Sequence, residues 1–200
     1  MRKIFIDCGT HLGQGILDIT RLKNIDNSWE IIGYEANPYT HRKFCNEVLP
    51  NLPFKNITIR NEAISDKNGM LWMNIETRAE GDPLHGDYGE GSSIIGLDKW
   101  LPQNHWGKYI KKEHVPCIDF SEYLSKNVQP NDFVLIKMDI EGAEYQVLEK
   151  MIKDGVPKLI DCIIIEWHSR FFDNPSYYFN LQPNIMREFT SKGVEVIEWH

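Results

Sequence analysis

Apolar positions along the chain follow two periods that take turns. Ile4-Phe5-Ile6 is a short continuous apolar run, the pattern of a strand covered on both faces, and it ends at the acid Asp7. Leu12, Ile16, Leu17, Ile19 and Leu22 then recur at helical spacing, so a helix follows. The pair repeats: residues 29–34 read as a second strand and residues 39–49 as a helix carrying Phe44, Val48 and Leu49 inward. Residues 57–64 read as a third strand, and the turn residues at 65–69 lead to an extended partner at 70–75. Residues 133–138 form the most strand-like run of the second half, followed by a helix over 142–153 and strands over 160–167 and 194–199. Such alternation predicts an α/β fold with a doubly wound, mostly parallel sheet of the Rossmann-like kind, in a single domain.

One region breaks the pattern. Residues 78–91 hold four glycines and four acids with no apolar period, and the stretch on to residue 112 reads as an insertion. Insertions of this length serve as lids or lack structure. Lys99, Trp100, Trp106, Lys108, Tyr109, Lys111 and Lys112 could stack on a sugar or a base. In the plainer alternative the aromatic rings cover the sheet edge and the lysines sit in water.

The first strand leads into Asp7-Cys8-Gly9-Thr10-His11-Leu12-Gly13, a turn where open α/β sheets bind nucleotide-like ligands. A dinucleotide fingerprint needs a second glycine so that the backbone can approach a diphosphate, and here that position is His11. Asp7 would repel phosphate as well, yet it suits a cationic ligand without phosphate such as S-adenosylmethionine. The second strand ends in Glu35, placed to accept both hydroxyls of a ribose. Glu35-Ala36-Asn37-Pro38 also precedes a helix for which Asn37-Pro38 is a good cap and first-turn pair, and the two roles are compatible.

Charge and cysteine usage narrow the partners. Twenty-two basic side chains against 29 acidic ones give −7, which argues against a phosphate backbone or an anionic membrane as partner. The four cysteines show neither metal spacing nor a Cys-x-x-Cys pair, and no leader or membrane-spanning run is visible, so the expected location is the cytoplasm.

Lys137-Met138-Asp139-Ile140-Glu141-Gly142-Ala143-Glu144 places Asp139 at the carboxyl end of its strand, beside the expected ligand cleft. Glu141 and Glu144 read as helix-start acids favoured by the macrodipole. Glu166-Trp167-His168 ends the next strand with a further acid and a candidate proton acceptor. Such an acidic cluster could hold Mg²⁺ or Ca²⁺, but nothing fixes a ligand count and no metal is assigned.

These residues resemble one family. The glycine turn, Glu35-Ala36-Asn37-Pro38, Glu62-Ala63-Ile64-Ser65-Asp66 with Gly69, Gly91-Ser92-Ser93, Ile118-Asp119-Phe120, residues 137–144 and Ile165-Glu166-Trp167-His168 look like the FkbM family of S-adenosylmethionine-dependent methyltransferases in order and spacing. The Lys-x-Asp-x-Glu-Gly-x-Glu element is the specific part. The resemblance implies a Rossmann-like methyltransferase acting on hydroxyl oxygens of sugars, glycans or small metabolites. By position, Asp7, Gly9, Thr10 and Gly13 would wrap the methionine end of the cofactor, with His11 beside them. Glu35 would take the ribose and Glu62 and Ala63 the adenine rim, with Ala36 and Asn37 also among the cofactor-binding residues. Asp139 and His168 are the expected bases, with Glu166 orienting His168 or touching substrate. The usual turn has alanine and asparagine where this chain has Thr10 and His11. The sixth expected strand ends near residue 200, so the closing antiparallel strand common in this fold is not expected. Other readings are a nicotinamide oxidoreductase, a binding module without catalysis, and a nucleic-acid methyltransferase, the last resting on residues 99–112.

Overall fold

The computed structural model describes residues 1–82, 85–95 and 107–199, with the backbone alone at 107–110 and 171. Strands β1 (Lys3–Cys8), β2 (Trp29–Tyr34), β3 (Ile57–Arg60), β7 (Phe133–Met138), β8 (Cys162–Glu166) and β9 (Glu195–Trp199) form a six-stranded sheet. Its order is β3-β2-β1-β7-β8-β9, and every pairing is parallel. Order reverses between β1 and β7, so the crevice at their carboxyl ends is the switch point where such sheets bind ligands. No antiparallel strand pairs outside β9 among the described residues.

Helices cover both faces. On β1, Ile4 and Ile6 pack into one apolar cluster with Leu148, Met151 and Phe189, while Phe5 packs into the other with Ile16, Ile19 and Phe44. Period-two alternation of fully apolar residues thus serves two cores. Helix α1 (Gln14–Leu22) and the helical residues 44–48 that continue α2 (Pro38–Lys43) contribute to the side that Phe5 faces. Helices α3 (Phe120–Asn127), α4 (Glu144–Lys153) and α5 (Pro175–Thr190) contribute to the other. Asn37 caps α2 by accepting from the backbone N–H of Tyr39 and Thr40, as its sequence neighbours suggest. Helix α5 was not legible: Pro183 interrupts its pattern, although Gln182, Ile185 and Phe189 bury one face at helical spacing.

Residues 57–64 do not form one strand. Asn61 donates to the carbonyls of Glu35 (2.8 Å) and Ala36 (3.1 Å), which turns the chain, so β3 stops at Arg60 and β4 (Ala63–Ser65) joins a second sheet. That sheet, of order β4-β6-β5, contains the antiparallel ribbon of β5 (Gly69–Arg78) and β6 (Gly107–Asp119). The expectation of an insertion without regular structure therefore fails for 107–112, which open β6. Lys99, Trp100 and Trp106 lie outside the described residues. Lys111 is not simply solvated, since its ammonium lies 3.0 Å from Asp87 and 3.4 Å from Glu113.

Candidate active site

The turn after β1 is closed by backbone contacts. Gly9 and Thr10 both donate their N–H to the carbonyl of Tyr34, at 3.0 and 2.9 Å. Gly9 has φ +88°, and a Cβ there would sit 1.7 Å from the carbonyl oxygen of Asp139, so only glycine lets β1 and β7 meet at this point. Gly13 starts α1 at φ +86°, where a Cβ would strike the Phe44 ring at 2.5 Å. The turn is thus specified by packing against Asp139, just past β7, and Phe44, just past α2, as much as by its own residues.

Glu35, nearly buried at the tip of β2, accepts from the N–H of His11 and of Asn37, both at 2.7 Å. Burial raises its pKa, and His11 with the two N–H donors counters only part of that. A cavity of about 400 Å³ opens beside it at the carboxyl edge of the sheet. Of the residues expected at the site, Gly9, Thr10, His11, Glu35, Ala36, Glu62, Ala63, Asp139 and Glu166 line this cavity. Asp7, Gly13, Asn37 and His168 do not. Gly13 serves the helix start, and Asn37 caps α2 and donates to the carbonyl of Asp87 at 2.8 Å.

Asp7 points under the turn. It is fully buried, and its Oδ1 lies 3.5 Å from the Nζ of Lys137, which donates to the carboxylate of Asp139 at 2.9 Å and to the carbonyl of Gly9 at 3.2 Å. Burial would lower the pKa of Lys137, but Asp7 and Asp139 outweigh it and hold the ammonium charged. Burial raises the pKa of Asp7, against the pull of Lys137. A role for Asp7 at the methionine end of a cofactor therefore has to run through Lys137, not through direct contact.

His168 is turned inward as well. Its Nδ1 meets Glu144 at 2.9 Å, and its Nε2 lies 3.5 Å from Glu141, 3.7 Å from Glu166 and 3.8 Å from Asp139. Burial opposes its charge, but Glu144, Glu141 and Asp139 outweigh burial and push the pKa up to about 9. Its ring is buried against Glu144 and does not line the cavity, which speaks against the expected role as proton acceptor. Burial pushes the carboxyl of Glu141 up to about 8, with His168 acting against that shift.

Glu144 corrects the sequence reading most clearly. Beyond being a helix-start acid, it is fully buried and accepts from the N–H of Ile140 (2.8 Å) and Gly142 (3.0 Å) while holding His168. It fixes the loop that carries Asp139 and Glu141. Lys137, Glu76 and Arg78 also line the cavity and were missed as site residues. For Lys137 a signal existed, because a lysine inside an apolar strand must be paired when buried. For Glu76 and Arg78 none did, since their place depends on the β5–β6 ribbon. The ligand atoms of Asp139, Glu141 and His168 lie within 4.8 Å of one another, a spacing compatible with a metal ion.

Among the described residues no helix is long and apolar enough to cross a membrane. Residues 7–195 match the family model described as the methyltransferase FkbM domain. Neither a curated protein nor a solved structure matches the chain.

Proposed function

From a chain that belongs to the FkbM methyltransferase family over residues 7–195, we infer an enzyme that uses S-adenosylmethionine to methylate a hydroxyl oxygen of a sugar, glycan or small metabolite. Family membership makes it a methyltransferase. Cofactor and acceptor are our reading, and one observation carries it: the cavity at the switch point is lined by more acids, Glu35, Glu62, Glu76, Asp139 and Glu166 among them, than bases, which are Arg78, Lys137 and Arg170. Such a wall favours a ligand bearing sulfonium and ammonium charges and disfavours a diphosphate. The amides of Gly9 and Thr10, which a phosphate would need, already donate to Tyr34, and His11 stands where a dinucleotide requires glycine. The excess of acids likewise speaks against nucleic acid as acceptor, and four unpaired thiols suit the cytoplasm.

When bound, S-adenosylmethionine supplies an electrophilic methyl group on sulfur. The work left to the protein is alignment and removal of one proton as the carbon–oxygen bond forms and the carbon–sulfur bond breaks. Glu35 would accept from the ribose hydroxyls. Asp139 has one oxygen fixed by Lys137 and faces the cavity at the end of β7, so it takes the hydroxyl proton. Glu166, on the neighbouring strand end, orients the acceptor hydroxyl. His168 holds these carboxylates in place as a buried cation and never meets substrate.

Calorimetry tests the reading. S-adenosylhomocysteine should bind and NAD should give no heat. Glu35→Ala should weaken binding about tenfold or more by removing charge-assisted bonds to two hydroxyls. Equal affinity of wild type and variant, or tight NAD binding, would overturn the assignment. A labelled-methyl screen over sugars and glycans then identifies the acceptor.

A further inference from the structure

We propose that His11 is a positioning residue that latches residues 86–95 to the glycine turn and thereby holds one wall of the cofactor pocket. The inference rests on reading the cavity as the S-adenosylmethionine site.

His11 lies between two turn glycines with φ +47°, a conformation unfavourable for a residue with a side chain. Its backbone N–H is spent on Glu35, and its ring leaves the turn to place Nε2 at 2.9 Å from the carbonyl of Tyr88. A carbonyl can only accept, so Nε2 carries the proton. The strap around Tyr88 is gripped from other elements too. Asn37 donates to the carbonyl of Asp87, Lys111 pairs with the Asp87 carboxylate, and Lys43 lies 4.5 Å over the Tyr88 ring.

Further along, the strap meets the cavity. The N–H of Gly89 donates to the Glu76 carbonyl at 3.2 Å, and that of Gly91 to the Glu76 carboxylate at 2.7 Å. Ser93 donates to the carbonyl of Glu141 at 2.6 Å, so the strap runs from the cofactor turn to the loop that follows Asp139. Gly89, Glu90, Gly91 and Ser92 form the cavity wall between these two points. The carboxylate of Glu35, assigned to the ribose, also holds the backbone of His11. Ribose acid and strap latch are therefore one bonded unit, and the latch fixes how far the wall stands from the cofactor.

The test combines calorimetry of S-adenosylhomocysteine with amide hydrogen exchange on the full chain. His11→Ala should lower affinity about tenfold and speed exchange at Gly89 and Gly91 by a similar factor, the size of one lost hydrogen bond. Amides of β1 and β7 should exchange as in wild type, which shows that the fold is intact. His11→Gln, with an amide donor of similar reach, should recover most of both losses. Unchanged exchange at Gly89 and Gly91 in His11→Ala would overturn the latch, as would His11→Gln as impaired as His11→Ala. Faster exchange with unchanged affinity would overturn its role in the pocket. If wild type binds no S-adenosylhomocysteine, the cofactor reading and the pocket role fall together, while exchange alone still decides whether His11 holds the strap.

Discussion

The two ends of the cavity are built on different physics. At the β1–β2 end, backbone contacts dominate: turn amides donate to Tyr34, and the carboxylate of Glu35 is held by two N–H groups. At the β7–β8 end, side-chain charges dominate, with Lys137 between Asp7 and Asp139, and His168 among Asp139, Glu141, Glu144 and Glu166. A backbone-built site is sensitive to shape and tolerant of pH. A charge-built site is the reverse, because each buried ion depends on partners that titrate.

The largest effect expected from this contrast is at Glu144. Glu144→Ala strands two backbone donors and removes the nearest counter-charge of a buried cation, which should cost about 3–5 kcal/mol. Denaturant unfolding measures it. A cost under about 1 kcal/mol, the size of a helix-start effect alone, would break the picture of Glu144 as the anchor of the loop that carries Asp139.

The next effect is the response to pH. The folded pKa of His168, about 9, lies above its ordinary 6.5, so its stabilisation is complete below about 6.5 and is lost as pH rises through 9. That loss amounts to about 3 kcal/mol. Glu141, raised from 4.5 to about 8, acts in the same direction, because its folded form also retains a proton that the unfolded chain has released. Thermal unfolding should therefore shift to lower temperature as pH rises from about 4.5 to 9, most steeply between 6.5 and 8 where both groups contribute, and the slope above 6.5 should shrink in His168→Gln. A flat profile in wild type would mean that the charges at this end are not coupled as described.

The same contrast explains what could be read from the sequence. Strand–turn–helix units built from local signals were legible: β1, β2 and β7 fall where their apolar runs place them, and the glycine turn and Glu35 meet at the cavity. What failed depends on distant partners. The break at Asn61 comes from hydrogen bonds to the tip of β2, and the ordered strap comes from the β5–β6 ribbon and α2. His168 was read as a base because its strand position is right, but which way its ring faces is decided by Glu144, 24 residues earlier. Buried charge is where local reading is weakest, since a residue's protonation belongs to the cluster and not to the residue.

The central claim is that a cofactor lies along the cavity from the backbone-built end to the charge-built end, with its reactive group at Asp139. A crystal structure of the S-adenosylhomocysteine complex tests it most directly. The ribose hydroxyls should lie on the Glu35 carboxylate, residues 86–95 along one side of the ligand, and the sulfur atom should face the edge formed by Asp139 and Glu166. A ligand seated with its adenine at Asp139, or with its sulfur turned away from β7 and β8, would contradict it.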